Sequence, residues 1–206
     1  MLQIKVLTFN PVQENTYVLY NEHKECIIID PGCYFDEEKA ALKSFIDKNE
    51  LLPKMLLNTH CHLDHVFGNK YIAEEYKLTL QVHRQEEELL QTAPASGLMF
   101  NLPFDNYKGE LIFLKEGDIM ELRSDKLKVV EAPGHSPGSI CFYCEEQKFI
   151  IGGDVLFQNS IGRTDLPGGS HKDLIKNITE KLFKLPEDVK VYPGHGPETT
   201  IGEEMK

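Results

Sequence analysis

Short runs of alternating or consecutive apolar residues fill the first thirty positions of this chain, a pattern typical of β-strands. Asn-Pro and Asn-Glu pairs separate these runs, and Pro31-Gly32 ends the third one. Beyond them, Leu42, Phe45 and Ile46 recur at helical spacing. The pattern therefore predicts strands over 4–9, 16–20 and 25–30, followed by a helix over 36–48.

The rest of the chain predicts mixed elements first and then mostly strands. We expect a short buried strand at 55–57, a helix at 66–76, a strand at 78–82 and a helix at 84–91. The stretch 92–107 contains Pro94, Gly97 and Pro103 and predicts a long irregular segment, either a lid or binding loop or a simple surface insertion. Further strands are predicted at 111–114, 118–122, 127–132, 140–144, 149–152 and 190–192, with a helix at 171–185.

The order of these elements predicts the fold class. Strands and then helices are followed by strands and then a helix, so the chain has two halves of similar pattern. This order favours two sheets packed face to face with helices outside, an α+β layered sandwich. No low-complexity linker separates the halves, and we expect residues 1–206 to form a single domain.

Charge and composition limit the partners of the protein. With 33 acidic and 22 basic side chains, the formal net charge is −11, which disfavours binding to a nucleic-acid backbone. No apolar segment approaches the ~18 residues of a membrane span, and no basic-then-apolar leader is visible at the start. We therefore expect a cytoplasmic protein that binds neither nucleic acid nor membrane; the oligomeric state stays open.

Five cysteines at irregular spacing do not suggest a disulfide framework. Cys141 and Cys144 lie three apart in a predicted strand, so their side chains are expected to face opposite sides of it. Cys61 is expected to be a spacer between polar neighbours rather than a nucleophile.

The segment THCHLDH at 59–65 carries the strongest chemical signal, since it holds three imidazoles and a carboxylate within seven residues. Imidazole and carboxylate are natural ligands of a hydrolytic metal ion, with zinc the first choice. His60 and His62 are two apart after a predicted strand, so both rings can face one metal ion. Asp64 and His65 can reach a second ion beside it.

Three more candidate ligands follow later strands. His135 and His195 each come after Pro-Gly, and Asp154 follows two glycines. Strand ends deliver loop residues to a common rim, where they can complete a site. A carboxylate can bridge two ions, and Asp154 is the candidate for that role. The seven residues together predict a two-metal hydrolase site, whereas the remaining histidines are interpreted as surface or structural side chains.

Several motifs resemble a known family. THCHLDH at 59–65, PGHSPG at 133–138, GDVLF at 153–157 and PGHG at 193–196 are similar to the metallo-β-lactamase superfamily, in its glyoxalase II-like (hydroxyacylglutathione hydrolase-like) branch. SIGRTDLPGG at 160–169 resembles compact bacterial members that lack the C-terminal helical domain. The resemblance covers nearly the whole chain, with the motifs in the same order.

The resemblance implies a four-layer αβ/βα sandwich with two divalent metal ions at one edge, zinc first and iron or manganese as alternatives. It assigns one ion to His60, His62 and His135 and the other to Asp64, His65 and His195, with Asp154 bridging them. Asp30 corresponds to a position that supports the ligands from behind, although a simple cap at a strand end would explain it equally well.

The function that the resemblance implies is hydrolysis of a small acyl-thiol such as S-lactoylglutathione by a metal-bound hydroxide. Asp64 is the candidate catalytic residue, because it can orient the nucleophile and accept its proton. Arg163 and the 92–107 segment are candidates for contacting the substrate, although Arg163 could instead clamp its own loop.

Other activities of similar proteins remain open. A persulfide dioxygenase-like oxidoreductase with a single iron and a lactonase are the alternatives, whereas the absence of a secretion signal disfavours a true β-lactamase. Full-length glyoxalase II adds a C-terminal helical domain with glutathione-binding residues. This chain ends about ten residues after His195, so we expect that glutathione contact to be missing or rebuilt elsewhere.

Overall fold

Two six-stranded sheets form the centre of the fold in the computed structural model, which describes residues 1–206. The strands of the first sheet lie side by side in chain order. The second strand is antiparallel to the first and to the third, and the third to sixth strands are parallel to one another. They are β1 (Gln3–Phe9), β2 (Glu14–Tyr20), β3 (Glu25–Ile29), β4 (Leu52–Leu57), β5 (Leu80–His83) and β6 (Leu111–Leu114).

The second sheet comes from the second half of the chain. Its strands are β7 (Ile119–Leu122), β8 (Asp125–Glu131), β9 (Ile140–Cys144), β10 (Phe149–Gly153), β13 (Lys190–Pro193) and β14 (Thr199–Thr200). They lie in the order β14-β13-β10-β9-β8-β7, and only the β10–β13 pair is parallel. A separate two-stranded ribbon consists of β11 (Leu156–Phe157) and β12 (Ser160–Ile161).

Six helices cover the outer faces of the sheets. They are α1 (Asp36–Lys48), α2 (Leu63–Val66), α3 (Asn69–Tyr76), α4 (Glu87–Met99), α5 (His171–Glu180) and α6 (Ile201–Glu204), with 3-10 turns at Arg84–Glu86 and Leu182–Lys184. No helix has both the length and the apolar character that crossing a membrane requires.

The alternation of side chains along buried strands produces the layers. On β3, Ile27 and Ile29 pack between the two sheets, whereas Cys26 and Ile28 pack against the helices that cover the first sheet. This two-sided burial explains why residues 26–29 of the strand are all apolar rather than alternating with polar residues. The arrangement confirms the predicted four-layer α+β sandwich, with an apolar layer between the sheets and one beneath each set of helices.

The same alternation decides the cysteine pair of β9. Cys141 packs beneath the helices of the second sheet, and Cys144 packs between the sheets. Both thiols are free, as are those of the other three cysteines. The prediction that this pair faces opposite sides is confirmed.

The prediction of an irregular segment at 92–107 is wrong for its first half, because α4 continues to Met99. Pro94 lies inside this helix and cannot donate to the carbonyl of Leu90, four residues earlier. The side-chain amide of Asn106 donates to that carbonyl instead, at 2.5 Å. A contact from outside the helix thus replaces the bond that proline removes. The chain from 100 to 107 is irregular, as predicted.

Candidate metal centre

The candidate ligands gather where strands of both sheets end. Parallel strands bring their carboxyl ends to one edge of a sheet, and β3 and β4 deliver Asp30 and the 59–65 segment there. From the second sheet, Asp154 follows β10 and His195 follows β13, which is parallel to it. The register shift between Ile151 and Gly153 and the left-handed backbone of Gly153 (φ 52°) turn the chain into the site.

One set of three nitrogen atoms forms what we call the first ligand group, His60, His62 and His135. Nε2 of His135 lies 3.2 Å from Nε2 of His60 and 2.8 Å from Nδ1 of His62. Ligand atoms on a tetrahedral zinc ion are about 3.3 Å apart, given metal–nitrogen distances of ~2.0–2.1 Å. The spacing of the first ligand group is therefore close to what one metal ion requires.

A second set, Asp64, His65 and His195, forms the second ligand group. Oδ2 of Asp64 lies 3.1 Å from Nε2 of His195 and 3.6 Å from Nε2 of His65. These three atoms also fall within one metal-sized cluster, with every separation below 4.8 Å.

Asp154 lies between the two groups. Its Oδ2 is 3.5 Å from Nε2 of His135 and 3.6 Å from Nε2 of His195, and its Oδ1 is 3.5 Å from Nε2 of His65. One carboxylate therefore faces both groups, which is the geometry that a bridging ligand needs.

Hydrogen bonds behind the rings determine which imidazole nitrogen faces the centre. Nδ1 of His135 lies 2.8 Å from the carbonyl of Arg163, and Nδ1 of His195 lies 3.1 Å from the carbonyl of Val12. A carbonyl only accepts, so in each neutral ring Nδ1 carries the proton and Nε2 presents a lone pair to the centre. Such bonds from the far side of the ring are typical of metal-ligating histidines.

Asp30 orients two more of the rings. Its Oδ2 lies 3.1 Å from Nδ1 of His65 and accepts from the hydroxyl of Thr59 at 2.6 Å. That hydroxyl lies 3.1 Å from Nδ1 of His60 and is positioned to accept from it. The other oxygen, Oδ1, accepts from the backbone N–H of Thr59 at 2.7 Å and from Asn58 at 3.0 Å. The interpretation of Asp30 as a support behind the ligands therefore agrees with the geometry better than that of a simple strand-end cap.

The two ligand groups differ in their electrostatics. Burial lowers the pKa of His62 to about 4, with a contribution from His135, and burial also lowers the pKa values of His60 and His135. Burial opposes the charge on His65 as well, but Asp64 and Asp154 outweigh it and raise the pKa of His65 well above its usual value. The first ligand group is thus neutral near pH 7, whereas the second is a cluster of opposite charges.

Unpartnered atoms test whether this centre suits a cation. Nε2 of His65 and Oδ1 of Asp154 are buried and have no hydrogen-bond partner. An unsatisfied buried polar group costs about 1–3 kcal/mol, and a metal ion between the groups would satisfy both atoms. The donor set of imidazoles and carboxylates also suits zinc or iron. The residues fit the divalent metal ions expected from the sequence.

Exposure shows from which side a substrate can reach the centre. The side chains of His60, His65 and His135 are almost fully buried, whereas 28% of His195 and 15% of Asp64 are exposed. The centre is therefore open on the side of Asp64 and His195.

Arg163 contributes to the centre through its backbone. Its carbonyl faces His135, whereas its guanidinium is exposed and pairs with Asp165 through contacts of 2.7 and 2.8 Å. The side chain suggested for substrate contact is thus held by a neighbouring carboxylate in this structure.

Two buried carboxylates at the centre were not anticipated from the sequence. Glu14 is fully buried, with Oε1 unpartnered and 3.9 Å from Nδ1 of His65. Glu86 is fully buried and contacts the loops on either side of the first ligand group. The only sequence signal for Glu86 is its position shortly after the predicted strand at 78–82.

Comparison with known families agrees with this architecture. Residues 9–195 match the family described as Metallo-beta-lactamase superfamily. The chain is 34% identical to the "Hydroxyacylglutathione hydrolase GloC" of Haemophilus influenzae, over 100% of this chain and 96% of that protein. It is 35% identical to the "Probable metallo-hydrolase YqgX" of Bacillus subtilis, over 93% of this chain and 89% of that protein.

Solved structures with the same fold include two above 30% identity. One is the "BLEG-1 B3 metallo-beta-lactamase", at 38% identity and a TM-score of 0.90, covering 98% of this chain and 96% of that one. The other is "TTHA1623 in a di-iron-bound form", at 34% identity and a TM-score of 0.88, covering 98% of this chain and 97% of that one.

Proposed function

Because the chain belongs to the metallo-beta-lactamase superfamily and is a metallo-hydrolase of that kind, we propose that it hydrolyses small acyl-thiols at a two-metal site. The observation that carries the proposal is the convergence of two ligand groups on Asp154. The relative named as a hydroxyacylglutathione hydrolase supports thioesters such as S-lactoylglutathione as substrates.

In this proposal, the first ligand group would hold one divalent ion and the second another, with Asp154 lying between the two groups. Zinc is the first choice, and the relative solved in a di-iron-bound form supports iron as an alternative. When bound, the two ions supply a water activated near neutral pH and polarise the substrate carbonyl. Residues 1–206 act as one hydrolase domain, which is supported by the N–H of Asn15 bonding to the carbonyl of Gly194 at 2.7 Å.

Asp64 is the proposed catalytic residue. Its carboxylate lies on the open side of the centre, and His65 and His195 outweigh the effect of burial and hold its pKa below the usual range. Asp64 is therefore ionised at neutral pH, and its carboxylate can accept a hydrogen bond that orients the attacking water. The departing thiolate needs little acid assistance, because thiols are far more acidic than alcohols.

The test is hydrolysis of S-D-lactoylglutathione by purified protein whose metal content has been measured, with a metal-stripped sample beside it. Turnover should require metal and should fall at least ~100-fold in Asp64→Asn and His62→Ala. His23→Ala is the matched control, because this histidine is half-exposed and lies outside both ligand groups. Full activity of either site variant would contradict the proposed site.

Two results would redirect the assignment. Inactivity on S-D-lactoylglutathione with two metals bound would move the search to other thioesters and to lactones. β-Lactams are a second candidate class, supported by the 38%-identical relative whose name specifies a B3 metallo-beta-lactamase, and a chromogenic β-lactam tests them directly. A single iron with oxygen consumption on glutathione persulfide would favour an oxidoreductase instead.

A further inference from the structure

Glu86 is a buried carboxylate outside both ligand groups. It ends the 3-10 turn Arg84–Glu86 at the start of α4, and its side chain is fully buried. A buried charge is costly unless several donors satisfy it, and here three donors do so.

These donors come from two different loops. Oε2 of Glu86 accepts from the backbone N–H of Cys61 at 2.7 Å. Oε1 accepts from the backbone N–H of Gly138 and from the hydroxyl of Ser136, both at 2.7 Å. Short bonds from fixed backbone donors to a carboxylate are strong and directional.

The bonded residues adjoin the first ligand group. Cys61 lies between His60 and His62, in the loop after β4 of the first sheet. Ser136 directly follows His135, between β8 and β9 of the second sheet. One carboxylate therefore joins the loops of two sheets at the point where they present these three histidines.

The second ligand group is held by other contacts. His65 bonds to Asp30, and Nδ1 of His195 faces the carbonyls of Val12 and Gln13. Glu86 makes no hydrogen bond to Asp64, His65 or His195. Its influence should accordingly be confined to one half of the centre.

We propose that Glu86 is a positioning residue that sets the spacing of His60, His62 and His135 and thereby the affinity of the first ligand group for its metal ion. The inference rests on the two-metal site of the proposed function. It does not depend on the thioester substrate.

Glu86→Gln is the informative change, because it keeps the shape of the side chain and removes one acceptor. In either orientation of the amide, its NH2 group faces a backbone N–H, either that of Cys61 or that of Gly138. A backbone N–H can only donate, so two donors then face each other. Loss of a supporting partner of this kind lowers metal affinity by about 10–100-fold.

The experiment measures zinc affinity by competition with a chromophoric chelator in two backgrounds. His195→Ala keeps the first ligand group intact, and His62→Ala keeps the second. Glu86→Gln should lower zinc affinity about 10–100-fold in the His195→Ala background and by less than about threefold in the His62→Ala background. Comparing the two backgrounds provides the control, because a general loss of folding would lower zinc affinity in both of them.

An equal fall in both backgrounds, or no fall in either, would overturn the proposal. If Glu86→Gln does not fold, Ser136→Ala replaces it, since this change removes the hydroxyl that donates to Glu86; the same hydroxyl also contacts that of Ser139 at 2.7 Å. A several-fold loss in the His195→Ala background alone would then support the role of Glu86, and unchanged affinity would refute it. Tight zinc binding by a protein inactive on thioesters would refute the proposed substrate and leave the role of Glu86 standing, whereas a wild-type chain that binds no metal would refute both.

Discussion

Replacing Asp30 by asparagine tests whether the support behind the rings determines metal binding. The carboxylate accepts four hydrogen bonds, two at each oxygen. Asparagine has nearly the same shape but only one acceptor oxygen. In one orientation its NH2 group faces the backbone N–H of Thr59, and in the other it faces Nδ1 of His65.

The magnitude follows from these contacts. The N–H of Thr59 cannot turn away, so the first orientation leaves a buried donor facing a donor. In the second, relief requires the proton of His65 to move from Nδ1 to Nε2, which removes the lone pair aimed at the centre. Either conflict costs about 1–3 kcal/mol, which corresponds to a roughly 5- to 150-fold loss of metal affinity or stability.

The assay is zinc affinity by chelator competition, together with thermal unfolding of the metal-free protein. Asp125→Asn makes the same chemical change at a carboxylate that is only 8% exposed and pairs with the N-terminus at 3.2 Å, away from the centre. It should leave zinc affinity unchanged. Wild-type zinc affinity together with wild-type thermal stability in Asp30→Asn would refute the reasoning, because either orientation of the amide must leave a buried conflict.

Three other predictions follow from the site and the core. Asp64 and Asp154 outweigh burial and raise the pKa values of His65 and His195 in the metal-free protein, so metal binding near pH 7 should release about one to two protons; a pH-stat titration without release would contradict this. Burial raises the pKa of every cysteine thiol, so the native protein should react with Ellman's reagent at pH 8 far more slowly than the unfolded chain, and a fast-reacting native thiol would contradict it. A Cβ at Gly134 would lie 2.4 Å from the backbone nitrogen of Leu174, whereas one at Gly117 meets nothing within 4 Å although both have positive φ. Gly134→Ala should therefore lower the free energy of unfolding by more than the ~1–2 kcal/mol of backbone strain expected for Gly117→Ala, and equal losses in urea denaturation would refute the close contact.

Much of the fold was predictable because its signals are local. The apolar run of β3 and the helical spacing of α1 are each formed by residues close together in the sequence. Helix α1 begins and ends where it was predicted. The two-sheet sandwich followed from the order of such elements. The prediction failed at α4, where the amide of Asn106, twelve residues beyond Pro94, replaces the missing helix bond.

The candidate metal centre, too, was predictable only in part. Residue type and position next to strand ends are properties of the sequence, and they were enough to select the seven candidate ligands. Which nitrogen of His135 and of His195 faces inward depends on acceptors far away along the chain, such as the carbonyl of Val12 behind His195, 183 residues distant. The same holds for Glu86, whose partner Gly138 lies 52 residues later.

The sequence by itself therefore determined the elements, their order and the donor types available for a metal. Only the tertiary structure decided the tautomers of rings such as His135 and His195 and the role of carboxylates such as Glu86. The physical reason is that hydrophobic periodicity and turn preference act over a few residues. Buried polar groups, in contrast, must find partners wherever the folded chain brings them, and here several of those partners are far away along the chain, as Val12 is from His195 and Gly138 is from Glu86.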